Sequence, residues 1–320
     1  MSCHGQQPFG ADLLTLEKEI QMPAVKGRID HMAINLKDKM LYVAALGNNT
    51  VEAIDLNKGI VIRSIKGVEE PQGIAYLPEQ NEIAVASGGN GDCVFFNAAT
   101  LERVATVHLS GDADNIRYDS VDKKMFVGYG NGGMAKIDPA THKQIGDIKL
   151  AAHPESFQLD KKNDRMYVNL PDDHSIAVID LKSFALLSKW KIDKYRANFP
   201  MTLDTSSNQV IIGFRHPATM VVYDSKTGNE ISKIGLVDDV DDVFYDGAIQ
   251  KVLASGGGGF INVFQKAPNG PYKRVSNIAS RDGARTSFLV PSLRLFIVAE
   301  RAEGGKVAAI AVYRIVATKG

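Results

Sequence analysis

Four carboxylates stand at equivalent places along this chain: Asp30, Asp114, Glu155 and Asp241. Each lies four residues ahead of one in a series of apolar anchors, Ile34, Tyr76, Tyr118, Leu159, Leu203, Tyr245 and Phe288. Gln72, Phe199 and Ala284 fill the other three upstream positions, and one residue later come His31, Gly73, Asn115, Ser156, Pro200, Asp242 and Arg285. Carboxylates brought together repel and raise one another's pKa unless a cation or a hydrogen-bond donor intervenes. Hard cations such as Ca²⁺ and Mg²⁺ want oxygen ligands of this kind. Asn115, Glu155, Asn198 and Asp241 are the set expected to hold one, with Asp30 in reach of the same mouth. Adding His31 would suit Zn²⁺ or another transition metal. His31 beside Asp30 also has the makings of a general base, which makes these two the catalytic candidates. The plainer reading is a wet, polar mouth in which a carboxylate caps a strand or pairs with Arg285.

The elements that position these residues follow from the spacing of the anchors. Successive gaps are 42, 42, 41, 44, 42 and 43 residues, and a second anchor follows each after six to eight residues: Leu41, Ile83, Phe126, Met166, Val210, Val252 and Leu295. A fixed period of this length signals stacked or radially arranged repeats. The first copy reads His31–Asn35, Leu41–Ala45, Val51–Asp55 and Ile60–Ile65, β-prone runs separated by Lys-Asp-Lys, Gly-Asn-Asn and Asn-Lys-Gly. Such runs between turn clusters are strands and hairpins, and four of them leave no room for a helix. The expected fold is all-β, a seven-bladed β-propeller of four-stranded antiparallel blades.

Both ends agree with this count. The last copy has three strands, Thr286–Leu289, Arg294–Glu300 and Val307–Ile315, while an extra strand, Leu13–Met22, precedes the first copy. The N-terminal strand is expected to complete the last blade and so remove two free sheet edges. The division is a flexible tail over 1–12, a single domain over 13–316 and a short tail over 317–320. In a propeller the segments before each first strand and the second-to-third-strand loops share one face. There the central-channel mouth would gather Asp30, His31, Gln72, Asp114, Asn115, Glu155, Asn198, Asp241, Asp242 and Arg285; His153 lies just outside this register. Asp55, Asn97, Asp138, Asp180 and Asp224 follow the third strands, and Asn35, Asp119, Asp160, Asp204 and Asp246 follow the first anchors. These are expected to cap turns through their own side chains rather than to catalyse.

Composition narrows the partners. Lys plus Arg and Asp plus Glu are 37 each, and a neutral chain argues against non-specific nucleic-acid binding. No apolar run approaches membrane-spanning length, and Met1–Gly10 lacks the basic start and apolar stretch of a signal peptide. Cys93 reads as a buried strand thiol and Cys3 as part of the tail. No nucleophile elbow or phosphate loop is present.

The second strands read Leu41-Tyr42-Val43-Ala44, Met125-Phe126-Val127-Gly128 and Met166-Tyr167-Val168-Asn169, and third strands end Ala53-Ile54-Asp55 and Val178-Ile179-Asp180. These motifs resemble the YVTN-type, YncE-like β-propeller repeat family over nearly the whole chain, from Leu13 to Ile315. The resemblance implies a prokaryotic protein exported to the periplasm or cell surface. It also implies a monomeric binding or scaffold module engaging a small ligand or protein partner at the polar mouth. Two alternatives accompany it. Mixed Glu, Asn and Asp oxygens resemble the metal set of calcium-dependent lactonases, which would make the chain a metal-dependent hydrolase or lyase, although those propellers usually have six blades. Related propellers also serve as non-redox subunits of dehydrogenase complexes.

Overall fold

The computed structural model describes residues 9–10, 13–268 and 270–316; Cys3 and the stretch 317–320 lie outside them. The described residues form seven four-stranded antiparallel sheets, with two short 3-10 turns, Leu46–Asn48 and Pro291–Leu293, and no α-helix. Blade 1 holds Met32–Asn35, Met40–Ala45, Thr50–Asp55 and Ile60–Ile65, paired in sequence order. The first strands of blades 2 to 7 are Pro71–Leu77, Ala113–Asp119, Phe157–Asp160, Arg196–Asp204, Val240–Asp246 and Ser287–Val290. Blade 7 takes its second and third strands from Leu295–Glu300 and Ala308–Ile315, and its fourth from the N-terminal Leu14–Met22, as the strand count requires. The Val316 N–H donates to the Leu13 carbonyl at 2.8 Å, and Arg314 grips both carboxylate oxygens of Glu17 at 2.6 and 2.8 Å. Phe9–Gly10, inside the segment that the sequence places in a tail, adds a two-residue fifth strand to blade 6, opposite Asn277 and Ser276.

The chain divides into two compact units. One comprises Ile20–Ile192 with Arg301–Ala309 and carries blades 1 to 4. The other comprises Asp193–Glu300 with the two ends of the chain, and carries blades 5 and 6 and most of blade 7. Within the first, apolar clusters lie between consecutive blades: Tyr42, Ile83 and Val94 between blades 1 and 2, Phe95 and Val127 between 2 and 3, and Phe126, Phe157 and Val168 between 3 and 4. Within the second, Ile211 and Val252 join blades 5 and 6, and Leu253 and Phe296 join 6 and 7. Blades covered on both faces explain why their middle strands are apolar without alternation; each large side chain so buried contributes about 1.5–3 kcal/mol.

The turn aspartates behave as expected. Asp55 Oδ1 accepts from the N–H groups of Asn57 and Lys58 at 2.9 and 3.0 Å, and Asp224 Oδ1 from those of Lys226 and Thr227 at 3.0 and 2.8 Å. These backbone hydrogen bonds hold both carboxyls below their ordinary pKa. Asp119, Asp204 and Asp246 cap their own turns in the same way. Cys93 is a buried free thiol, and burial first, then the nearby Asp92, pushes its pKa up.

Candidate ligand-binding site

A repeated irregularity sets the candidate residues in place. In blade 3 the register slips between Ala113 and Ile116, so Asp114 and Asn115 together face one residue of the next strand. The same slip occurs in blade 2 between Pro71 and Ile74, in blade 5 between Asn198 and Met201, and in blade 6 between Val240 and Asp242. In blade 1 the Asp30 N–H donates to Ala44 O at 2.7 Å while the Ala44 N–H donates to His31 O at 3.0 Å, so two residues again oppose one. Blade 4 does likewise with Glu155 and Ser156 against Asn169, at 3.0 and 3.1 Å. A bulge adds a residue to one strand and re-aims its side chains. In blades 1 to 6 the positions singled out four and three residues ahead of the anchor fall on these bulges; in blade 7 Ala284 and Arg285 precede the first strand, Ser287–Val290, which pairs without a slip.

In the first unit the bulges of blades 2, 3 and 4 supply one polar cluster. Gln72 Nε2 donates to Asp112 Oδ1 at 3.0 Å. His153 Nδ1 lies 3.7 Å from Asp112 Oδ2, and its Nε2 lies 3.6 Å from Asp114 Oδ2. The same Nδ1 makes a 2.6 Å hydrogen bond to the Gly130 carbonyl. Asp114, His153 and Glu155 each bring one ligand atom within 4.8 Å of the others. Burial works to lower the His153 pKa, but the Asp114 carboxylate, the Gly130 carbonyl and then Asp112 outweigh it and raise the pKa to about 9. The imidazole is therefore cationic at neutral pH and balances part of the acidic charge around it. Asn115, buried in the same bulge as Asp114, leaves its Oδ1 without a hydrogen-bond partner. Asp30 is buried and pairs with Arg28 at 3.4 Å and with His31 at 3.6 Å.

Beside this cluster opens a pocket of about 400 Å³. Its wall combines the glycine backbone at Gly111, Gly130 and Gly132 with Ser110, Asp112, Asn131, Asp147 and Lys149. Gly130 and Gly132 have φ of 54° and 129°, in the region open to glycine at little cost, which lets the loop turn tightly at the rim. Tyr129 lies against Gly133 and donates its hydroxyl to Asp147 Oδ1 at 2.8 Å, fixing one wall. Asp112 belongs to both the pocket and the histidine cluster.

The second unit resolves its acidic run differently. Asp241 Oδ1 pairs with Arg215 Nη2, and its Oδ2 lies 3.2 Å from Arg285 Nε. Asp239 Oδ1 lies 3.3 Å from Arg215 Nε and 3.0 Å from Arg285 Nη1. The Arg215 guanidinium also stacks over the Phe199 ring at 4.3 Å, so the aromatic member of the upstream series is its platform. Asp242 Oδ2 accepts the Ser287 N–H of the next blade at 2.7 Å, and Asn198 is buried opposite Phe214. Repulsion among these acids is thus met by donors. Both oxygens of Asp241, expected as metal ligands, are committed to guanidinium groups. Asp241→Ala is expected to lower the unfolding free energy by about 2 kcal/mol, since hydrogen bonds to charged groups are lost and the two guanidinium groups are left to share Asp239. Urea unfolding measures this; a change below about 0.5 kcal/mol would mean that solvent already screens the quartet.

Of the expected site residues, Gln72, Asp114, Asn115 and Glu155 share the blade 2–4 region, and Asn198, Asp241, Asp242 and Arg285 belong to the other unit. The sequence reading missed Asp112 and Arg215, which sit in a connecting segment and at a strand end without any repeat signature, and undervalued His153 for lying outside the register.

No family model matches the chain, and no curated protein matches it by sequence. Solved structures do match in shape. A chain of a mitotic checkpoint complex crystal structure superposes with a TM-score of 0.80 at 13% identity, covering 95% of this chain and 92% of the other. A chain of Kuenenia stuttgartiensis hydrazine synthase gives 0.76 at 12% identity, covering 90% and 97%. Identities this low establish the fold and nothing finer: the chain is a seven-bladed β-propeller.

Proposed function

We propose that this protein is a binding propeller that holds a small, hydrogen-bonding ligand in the blade 3 pocket. The observation that supports it best is the build of that pocket. Its volume falls in the range of small-molecule sites, and its wall offers carboxylates, an amide, a hydroxyl, one ammonium and glycine backbone. Two carboxylates against one lysine favour a polyhydroxylated or amine-bearing ligand over a polyanion. The loops that form it, at 110–112 and 130–133, are the connection between blades and the second-to-third-strand hairpin. A rigid sheet scaffold carrying variable loops is a common arrangement for binding.

The test is a thermal-unfolding screen of the full chain against sugars, amino alcohols and amino acids, followed by titration calorimetry on any hit. A ligand that binds only the folded state raises the midpoint. The expected result is a hit whose affinity falls at least tenfold, about 1.4 kcal/mol, in Asn131→Ala and Asp147→Ala. If no polar small molecule shifts the midpoint, or a hit binds both variants as tightly as the parent, the pocket is not the site.

A further inference from the structure

We propose that Asp114, His153 and Glu155 form a divalent-cation site suited to Zn²⁺. This does not rest on the pocket reading, and it is tested with the metal alone. One ligand atom from each residue lies within 4.8 Å of the other two; a tetrahedral Zn²⁺ with bonds of about 2.0–2.2 Å holds its ligand atoms roughly 3.3–3.6 Å apart, so the three side chains would draw together on the ion. The histidine is already oriented for the task. Its Nδ1 is tied to the Gly130 carbonyl at 2.6 Å, outside the cluster, which turns Nε2 toward Asp114. Metal-ligating histidines are held by such a hydrogen bond from the other ring nitrogen. A second, independent observation points to a missing partner. Asn115 is buried next to Asp114 in the same bulge, and its Oδ1 has no hydrogen-bond partner. We take this amide oxygen, one residue along the bulge from Asp114, as the fourth ligand, which gives a set of one nitrogen and three oxygens. Imidazole in the set favours Zn²⁺ over Ca²⁺ or Mg²⁺, which prefer oxygen alone.

The experiment is calorimetric titration of chelator-stripped full-length protein with ZnCl₂, and separately with CaCl₂. His108→Ala serves as the background control, because exposed His108 and Asp92, 2.7 Å apart, could take up zinc adventitiously. The expected result is one Zn²⁺ per chain, weaker Ca²⁺, and unchanged zinc affinity in His108→Ala. Glu155→Gln and His153→Gln each weaken zinc by about 100-fold, while Asn115→Asp strengthens it by adding a charged ligand. Glu155→Gln keeps the side-chain shape, and circular dichroism confirms that each variant is folded. Absence of stoichiometric zinc binding, binding unchanged in both Glu155→Gln and His153→Gln, or binding lost in His108→Ala would overturn the proposal.

Discussion

Replacing Gly73 with alanine is expected to destabilise this protein by about 3 kcal/mol or more. Gly73 lies in the blade 2 bulge, where the first strand of blade 2 runs against that of blade 3. A Cβ built there would stand 2.1 Å from the Asp114 carbonyl oxygen and 2.8 Å from the Ile116 nitrogen. Both are backbone atoms, so no side chain can rotate away, and one of the two strands must move. Overpacking of this kind costs about 1–3 kcal/mol when side chains can yield, and backbone atoms yield less. The expected fall in thermal midpoint is roughly 5 °C or more for a chain of this size. Gly247→Ala is the matched control, because its Cβ would meet only Tyr245 Cε1 at 3.8 Å. The displaced atom belongs to Asp114, so Gly73→Ala is also expected to loosen the His153 cluster. A thermal midpoint within about 1 °C of the parent would show that the two strands are not held as closely as the structure has them.

Raising the pH from 6 to 9.5 is expected to cost the metal-free protein about 2 kcal/mol through His153 alone. Its folded pKa, about 9, lies above the 6.5 of the unfolded chain. The native state therefore binds more protons between those values, and stability falls as pH rises through that window. The stabilisation is fully present below about pH 6.5 and gone above about pH 9. A shift of this size corresponds to about 3 kcal/mol, and partial exposure of the ring, 19%, reduces what is realised. The charged groups around the ring are Asp112 and Asp114, with a Glu155 oxygen within 4.8 Å of one ring nitrogen. His153→Gln removes the titrating group without creating a large void. The measurement is the urea midpoint at several pH values in chelator at constant ionic strength. The parent should lose stability across the window while His153→Gln stays flatter and starts lower. Parallel curves for the two proteins would show that the imidazole does not gain its proton from this cluster.

The strand pattern was legible because each blade buries both faces and repeats its turns. A period near 42, read from anchors such as Ile34 and Tyr76, follows from a sheet of four short strands. The extra N-terminal strand and the strand missing at the C-terminus were visible by counting, and blade 7 joins them. The turn caps at Asp55, Asn97 and Asp224 were legible because an Asx side chain acts on its own backbone two and three residues ahead. One recurrent turn feature was not. The residue ahead of each second strand, Lys39, Asn81, Lys123, Asp164, Asn208, Gln250 and Arg294, is left-handed with φ between 52° and 54° in every blade. Asn81, Asp164 and Asn208 are of types that favour this conformation, but Lys39, Lys123, Gln250 and Arg294 carry no local signature of it.

The site was legible only as positions. Equivalent places in repeated strands must lie at equivalent places in the blades, so Asp30, Asp114, Glu155 and Asp241 could be aligned from spacing. Their partners could not. Asp241 meets Arg215 and Arg285 because the ends of three blades meet there, and Asp114 meets His153 because the segment ahead of blade 4 passes its bulge. Those encounters join residues about 25 to 45 positions apart through loops that break the repeat. Local propensity and period determined the blades of this protein. Whether a carboxylate in them faces a guanidinium, an imidazolium or an open pocket was decided by long-range packing, which sets the charge next to each acid.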